Sequence, residues 1–252
     1  MEKQEYCYWC GAPSTSREHV PPKCFFPERK DFRAFTEKDF RKNLITVPSC
    51  DLHNLSKSND DEYLMVCLAS RVGNNAQAFL HTKTKVRRSR ERKPLIVDVL
   101  ETGIIKTENA TFPVQMVHVD NLRLNHSFEA IGRALFFHEF GVKFDGQCQI
   151  VSRIFSHPDA IQSTQFNIRA CEMIESEMRH WNTEIKGDNL EIFTYQFSPE
   201  DSFKIRTLCL TFYENTQVFV ILAQRLDEEL ENRRNLVNPI ADSVFADILS
   251  TE

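Results

Sequence analysis

At 252 residues, 41% apolar and 27% charged, the chain can bury a core without disulfides, and one large or two modest globular domains are expected. The net charge of −5 excludes a uniformly basic nucleic-acid binder, yet residues 1–93 hold 18 Lys+Arg against 12 Asp+Glu and the remainder 13 against 24, a basic end on an acidic body. No apolar run spans a bilayer and the opening MEKQEYCYWC has no signal-type core, so a reducing cytoplasm is the expected compartment and the eight cysteines are expected as metal ligands or buried thiols.

In chain order, residues 1–58 are rich in turn formers, with a short β-type run at Leu44-Ile45-Thr46-Val47. From about Asp60 the apolar residues Leu64, Leu68, Val72, Ala76 and Phe79 recur at helical spacing, with Ser58 and Asp61 placed like a capping box. The helix runs into KTKVRRSRERK, seven basic residues and one acid in eleven, which Pro94 closes. PLIVDVL then predicts a strand and GIIKTENATFPVQMVHV a hairpin turning near Asn109. SFEAIGRALFFHEFG predicts a helix from about Ser127 to the stop at Gly141, and CQIVSRIF a strand. A helix carrying Phe166, Ala170, Ile174 and Met178 follows, then three antiparallel strands in LEIFTYQF, FKIRTLCLTFY and QVFVILA with Asn215 in the tight connection. Residues 227–252 are expected to be helical at first and then loosely held.

Four residues near the start carry chemistry. Cys7 and Cys10 stand at knuckle spacing, as do Cys50 and His53. Two such pairs are what a structural zinc needs, four N/S ligands in a tetrahedron, each pair gripping the ion from a tight turn. Cys24 is a rival fourth ligand without a partner at that spacing. Cys67, Cys148, Cys171 and Cys209 fall within elements and are expected in the core. Between the two pairs lie Glu18 and His19, and Asn54 follows His53 directly. Glu18 and Asn54 offer hard oxygens suited to Mg2+ or Mn2+, and His19 is a proton acceptor near neutral pH. The remaining histidines, among them His81 and His138, are expected to be structural or solvent-facing. The Phe-rich insert with Phe25, Phe26, Phe32, Phe35 and Phe40 is expected as a loop anchored to the body rather than a base-stacking surface.

The stretches CYWCG, SREHVPPK and NLITVPSCDLHNLSKSNDDEY resemble the HNH endonuclease family, ββα-metal (His-Me finger) nucleases of which many carry a zinc knuckle; the resemblance covers about residues 7–62. It implies His19 as the general base and Glu18, where the family more often has Asp, and Asn54 as ligands of a catalytic Mg2+ or Mn2+. It further implies Asn43 as the residue that orients His19, and Cys7, Cys10, Cys50 and His53 as the structural Zn2+ ligands, position 53 being more often Cys. Lys23 and Lys57 would meet substrate phosphate. The implied substrate is DNA, with RNA as the other polyanion, and the implied setting includes defence against foreign DNA. The resemblance allows a homodimer, and residues 94–252 are a candidate surface for a partner protein. The expected fold is α+β: a zinc-stapled ββα-metal module (1–62), a helix and basic linker (63–93), and a mixed helix and antiparallel-sheet accessory domain (94–252). Two readings without catalysis stand beside it: a zinc-stapled nucleic-acid-binding module, and an effector subunit that works through a second protein.

Overall fold

The computed structural model describes residues 4–93, 99–106, 108, 111–154, 160–226, 228 and 232. The chain is mixed α+β, and every sheet in the described residues is antiparallel. The first sheet is the pair β1 (Ser16–His19) and β2 (Thr46–Ser49), registered Glu18 to Val47 and His19 to Thr46. Between them α1 (Arg29–Phe32) is one turn of a long excursion. Phe25, Phe26, Phe32 and Phe40 are buried there and Phe35 is exposed, so four of the five aromatics anchor the loop. Directly after β2 the chain turns into α2 (Asp51–Asn54).

α3 (Ser58–Ala69) buries Leu64 and Leu68 as the spacing predicts, but it stops there. Gly73, with φ +90°, and the Asn74–Asn75 turn break the predicted helix, and Asn75 caps α4 (Ala76–His81) by accepting from the Ala78 amide. The capping box does not form. α3 begins from Lys57 with no side-chain cap, because the chain enters it from a preceding helical turn, Leu55–Lys57, and its first amides already lie on a helical path. The basic run is helical too, in a wide-turned stretch Thr82–Val86 and then α5 (Arg87–Arg92).

β3 (Val99–Lys106) and β4 (Thr111–Val117) form the predicted hairpin; Asn109 and residues 94–98, where a strand start was expected, lie outside the described residues. α6 (Asn121–Phe140) starts a turn and a half before the predicted Ser127, because the Asp120 carboxylate caps it by accepting from the Arg123 amide. It ends at Gly141, whose φ of +69° lets the chain leave in the left-handed region. β5 (Gly146–Val151), α7 (Ile161–Met178), β6 (Lys186–Asn189), β7 (Phe193–Phe197), β8 (Ile205–Phe212) and β9 (Thr216–Gln224) complete the chain as described. The five strands order as β5-β9-β8-β7-β6. β6 escapes prediction because KGDN has no apolar alternation. The expected helix from residue 227 falls almost wholly outside the described residues.

Alternation on β8 and β9 divides the sheet into two faces. Leu208, Leu210, Phe212, Val218, Val220 and Leu222 point toward α6, while Cys209 and Phe219 join Val151 and Cys171 under α7. The α6 side is continuous with the N-terminal part: one buried cluster runs from Cys7, Val20 and Phe25 through α3 and α6 into the sheet. That cluster has members on both sides of residue 62, the expected end of the N-terminal module.

Candidate metal centre and adjoining cleft

The knuckle is built by backbone hydrogen bonds before any ligand is considered. The Gly11 amide donates to Cys7 O (2.9 Å), and the His53 and Asn54 amides donate to Cys50 O (3.0 Å each). Tyr8 N to Pro48 O (3.0 Å) ties the first turn to the strand that carries the second pair. The ligand atoms of Cys7, Cys10, Cys50 and His53 all lie within 4.8 Å of one another. Cys10 and Cys50 sulfurs are 3.8 Å apart, and His53 Nδ1 is 3.7 Å from Cys7 Sγ and 3.2 Å from Cys50 Sγ. A tetrahedron with zinc–sulfur bonds of ~2.3 Å has sulfur–sulfur edges of about 3.8 Å. The four residues can hold a metal ion, and their donor set and spacing suit structural zinc. Burial pushes the Cys7 thiol up, but amides of Cys10, Cys50 and Trp9 directed at the sulfur bring it below its ordinary value, which favours the thiolate a metal requires.

Cys24 is not part of this set; its thiol donates to the Asp61 carbonyl (3.3 Å), and burial pushes it up to about 12. Trp9 stacks on the His53 ring at 5.2 Å, and the Arg133 guanidinium from α6 lies 5.2 Å over Trp9. This stack orients the ligand ring from the body of the protein, a contact that no local spacing in the sequence announces.

Beside the knuckle lies a cleft of about 470 Å³ whose walls include Glu18, His19, Lys23, Asn54 and Asp61, with Lys85, Arg88 and Arg92 from the basic helical run. Of the first four, Glu18 and His19 come from β1, Lys23 from the helical turn just after it and Asn54 from α2. His19 ends β1 beside Thr46, whereas α2 leaves from the opposite end of the strand pair, where Ser49 meets Ser16, and Asn54 closes its single turn. Asn54 Nδ2 donates to Ser16 Oγ (2.8 Å), fixing the carboxamide against β1. Burial, then Lys23 and Arg41, hold the His19 imidazole below its ordinary value, which keeps it neutral and proton-accepting at neutral pH.

Glu18 reaches the cleft wall but is almost wholly buried. Its carboxylate accepts from Tyr8 Oη (3.4 Å), from Ser49 Oγ (3.4 Å) and from the Lys57 ammonium in a short ion pair; both side chains are 7% exposed. Lys57, expected at substrate phosphate, is not on the cleft wall, because a buried carboxylate requires its charge. Lys23 does line the cleft, and no ion pair engages it among the described residues. Asn43, expected beside His19, is exposed in a left-handed turn with φ +53°, outside the cleft, and no hydrogen bond joins it to His19 among the described residues. Asp61, expected as a cap, instead faces the cleft, and burial, opposed by Lys57 and reinforced by Glu18, pushes it up to about 7. The cations of the basic run are largely committed: Arg88 to Asp31 (2.7 Å), Arg92 to Glu62 (2.8 Å) and Lys85 to Glu28 (3.6 Å).

His138 and Glu139 do not converge, since Glu139 accepts from Tyr195 (2.6 Å) and pairs with Lys186. No helix among the described residues is long and apolar enough to cross a membrane. Comparison with family models, with curated proteins and with solved structures returned no match.

Proposed function

We propose that the cleft is the active site of a metal-dependent HNH-type endonuclease that hydrolyses phosphodiester bonds in DNA. The observation that carries this reading is that Glu18, His19 and Asn54, from the end of β1 and the end of α2, line one cleft beside a donor set suited to zinc. His19 accepts the proton of the attacking water, a role its neutral imidazole can fill at neutral pH. Glu18 and Asn54 supply the hard oxygens that would hold Mg2+ or Mn2+, which when bound offsets charge developing on the phosphate and on the departing oxygen. Lys23 faces the same space and would meet a phosphate oxygen. The zinc set would tie the turn at residues 7–10 to α2 and so steady the segment that carries Asn54. Hydrolysis by an activated water that expels the 3′ oxygen leaves 5′-phosphate and 3′-hydroxyl ends.

A second reading rests on a specific observation, the complete engagement of Glu18 by Tyr8, Ser49 and Lys57. A carboxylate satisfied in this way also suits a zinc-stapled binding or effector-subunit protein in which the ion pair is structural. Plasmid nicking by the zinc-loaded protein with Mg2+ or Mn2+, against EDTA and His19→Ala, decides between the two. The nuclease reading requires cation-dependent nicking that His19→Ala lowers by about 10²–10⁴-fold while zinc content and DNA binding persist. DNA binding without nicking by the wild-type protein under any divalent cation selects the second reading.

A further inference from the structure

The Glu18 carboxylate is held in two ways. Its position comes from Tyr8 and Ser49, neutral donors that adjoin the metal-set residues Cys7 and Cys50. Its charge is balanced by Lys57 alone, since no other ion pair reaches Glu18 among the described residues. Lys57 sits in the helical turn that leads from His53 into α3, and its ammonium lies on Oε1, an oxygen a divalent ion would need. An ammonium and a dication repel one another at a single buried carboxylate, so the two exclude each other there. Lys57 also has somewhere to go. Asp61 is four residues further on, the spacing at which side chains meet along a helix, and it lines the cleft. The lysine stem has four flexible carbons, enough to swing between two acceptors on neighbouring walls.

We propose that Lys57 is the resident counter-ion of this cation site: it keeps Glu18 charged, and it transfers to Asp61 when a divalent cation takes the Glu18 oxygens. Lys57 is thus a positioning residue that sets the affinity and the order of loading of the site, not a substrate contact. The inference rests on the reading of Glu18 as a cation ligand, and it adds that the protein carries its own competitor for that ligand.

Titration of the zinc-loaded full chain with Mn2+ alone, followed by the paramagnetic resonance signal of free Mn2+, tests it without any measurement of cleavage. Lys57→Gln is expected to bind Mn2+ about tenfold more tightly than wild type, the scale of a lost charge-assisted hydrogen bond, with one zinc retained. Lys57→Arg returns the affinity toward wild type. Asp61→Asn, which leaves the Glu18 pair in place, is expected to weaken Mn2+ binding severalfold, and to do so less in the Lys57→Gln background. Equal or weaker Mn2+ binding by a zinc-retaining Lys57→Gln overturns the proposal. Should that variant lose its zinc, an Asp61→Asn affinity equal to wild type overturns it instead. Glu18→Gln separates the underlying reading: if Mn2+ binds as well without the Glu18 charge, or binds no variant at all, Glu18 is not a cation ligand and both fall.

Discussion

Cys10 and Lys57 show how much the surroundings of a single residue decide. Cys10 is exposed, so its contribution to stability would come through a metal, whereas Lys57 is only 6% exposed. A buried lysine next to one carboxylate is a poor stabiliser by itself, but removing one partner leaves an uncompensated charge. At the metal set the expectation is correspondingly sharp. Cys50→Ser should lower zinc content from one per chain to near zero by elemental analysis and reduce the unfolding free energy by several kcal/mol. Treatment of wild type with a strong chelator should reproduce that loss. Full zinc content in Cys50→Ser would show that the four residues do not act together.

The elements are placed by close approach as much as by apolar pattern. Gly132 lies on the face of α6 that meets β9, and a Cβ there would stand 2.8 Å from Val220 Cγ1. A stiff branched side chain on the other side leaves little room to yield. Gly132→Val should therefore separate α6 from the sheet and cost about 1–3 kcal/mol, read as a lower midpoint in urea. No loss of stability would mean that helix and sheet can part without cost. The Trp9 stack between His53 and Arg133 reaches across the same region, so α6 both covers the sheet and steadies one metal-set ring. α6 supplies no residue to the cleft wall, and it reaches the metal set through this ring stack.

For the whole molecule, the continuous core from Cys7 to Leu222 implies a single cooperative unit. Tryptophan fluorescence, which reports Trp9 and Trp181, should follow the same urea transition as far-UV circular dichroism; two separated transitions would contradict a shared core. His81 lies at the junction of the two parts. It is fully buried, its Nε2 donates to Cys24 O (3.1 Å), and its ring is 6.5 Å from that of Tyr213. Burial holds its imidazole down to about 4, with Lys85 and Arg41 acting in the same sense and the Cys24 carbonyl and Asp31 against it. The unfolded chain, with His near 6.5, therefore binds more protons between those values. Stability from this group is complete above pH 6.5 and falls as pH drops through that window, by on the order of 3 kcal/mol in all. Urea midpoints between pH 7.5 and 4.5 should fall more steeply for wild type than for His81→Gln, a comparison that cancels protonation of the metal-set residues common to both. Equal slopes would show that His81 carries no such charge penalty.

The two knuckle pairs were legible in the sequence, because metal-ligand chemistry depends on residue type and short spacing, and the structure brings their donor atoms together as that spacing implies. Helices and strands with clear periodicity were legible too, including the stop at Gly141 and the β7–β9 meander. What spacing could not convey were contacts between segments distant along the chain. Lys57 was expected at substrate phosphate, but folding set it against Glu18, 39 residues earlier. Asp61 looked like a cap until a helical turn ahead of it made a cap unnecessary. Asn43 had the right chemistry for a partner of His19, but the local turn left it outside the cleft. Local chemistry is written in types and intervals along one chain; the charge state and accessibility of each group depend on which other segment lies against it, and only the tertiary structure decides that.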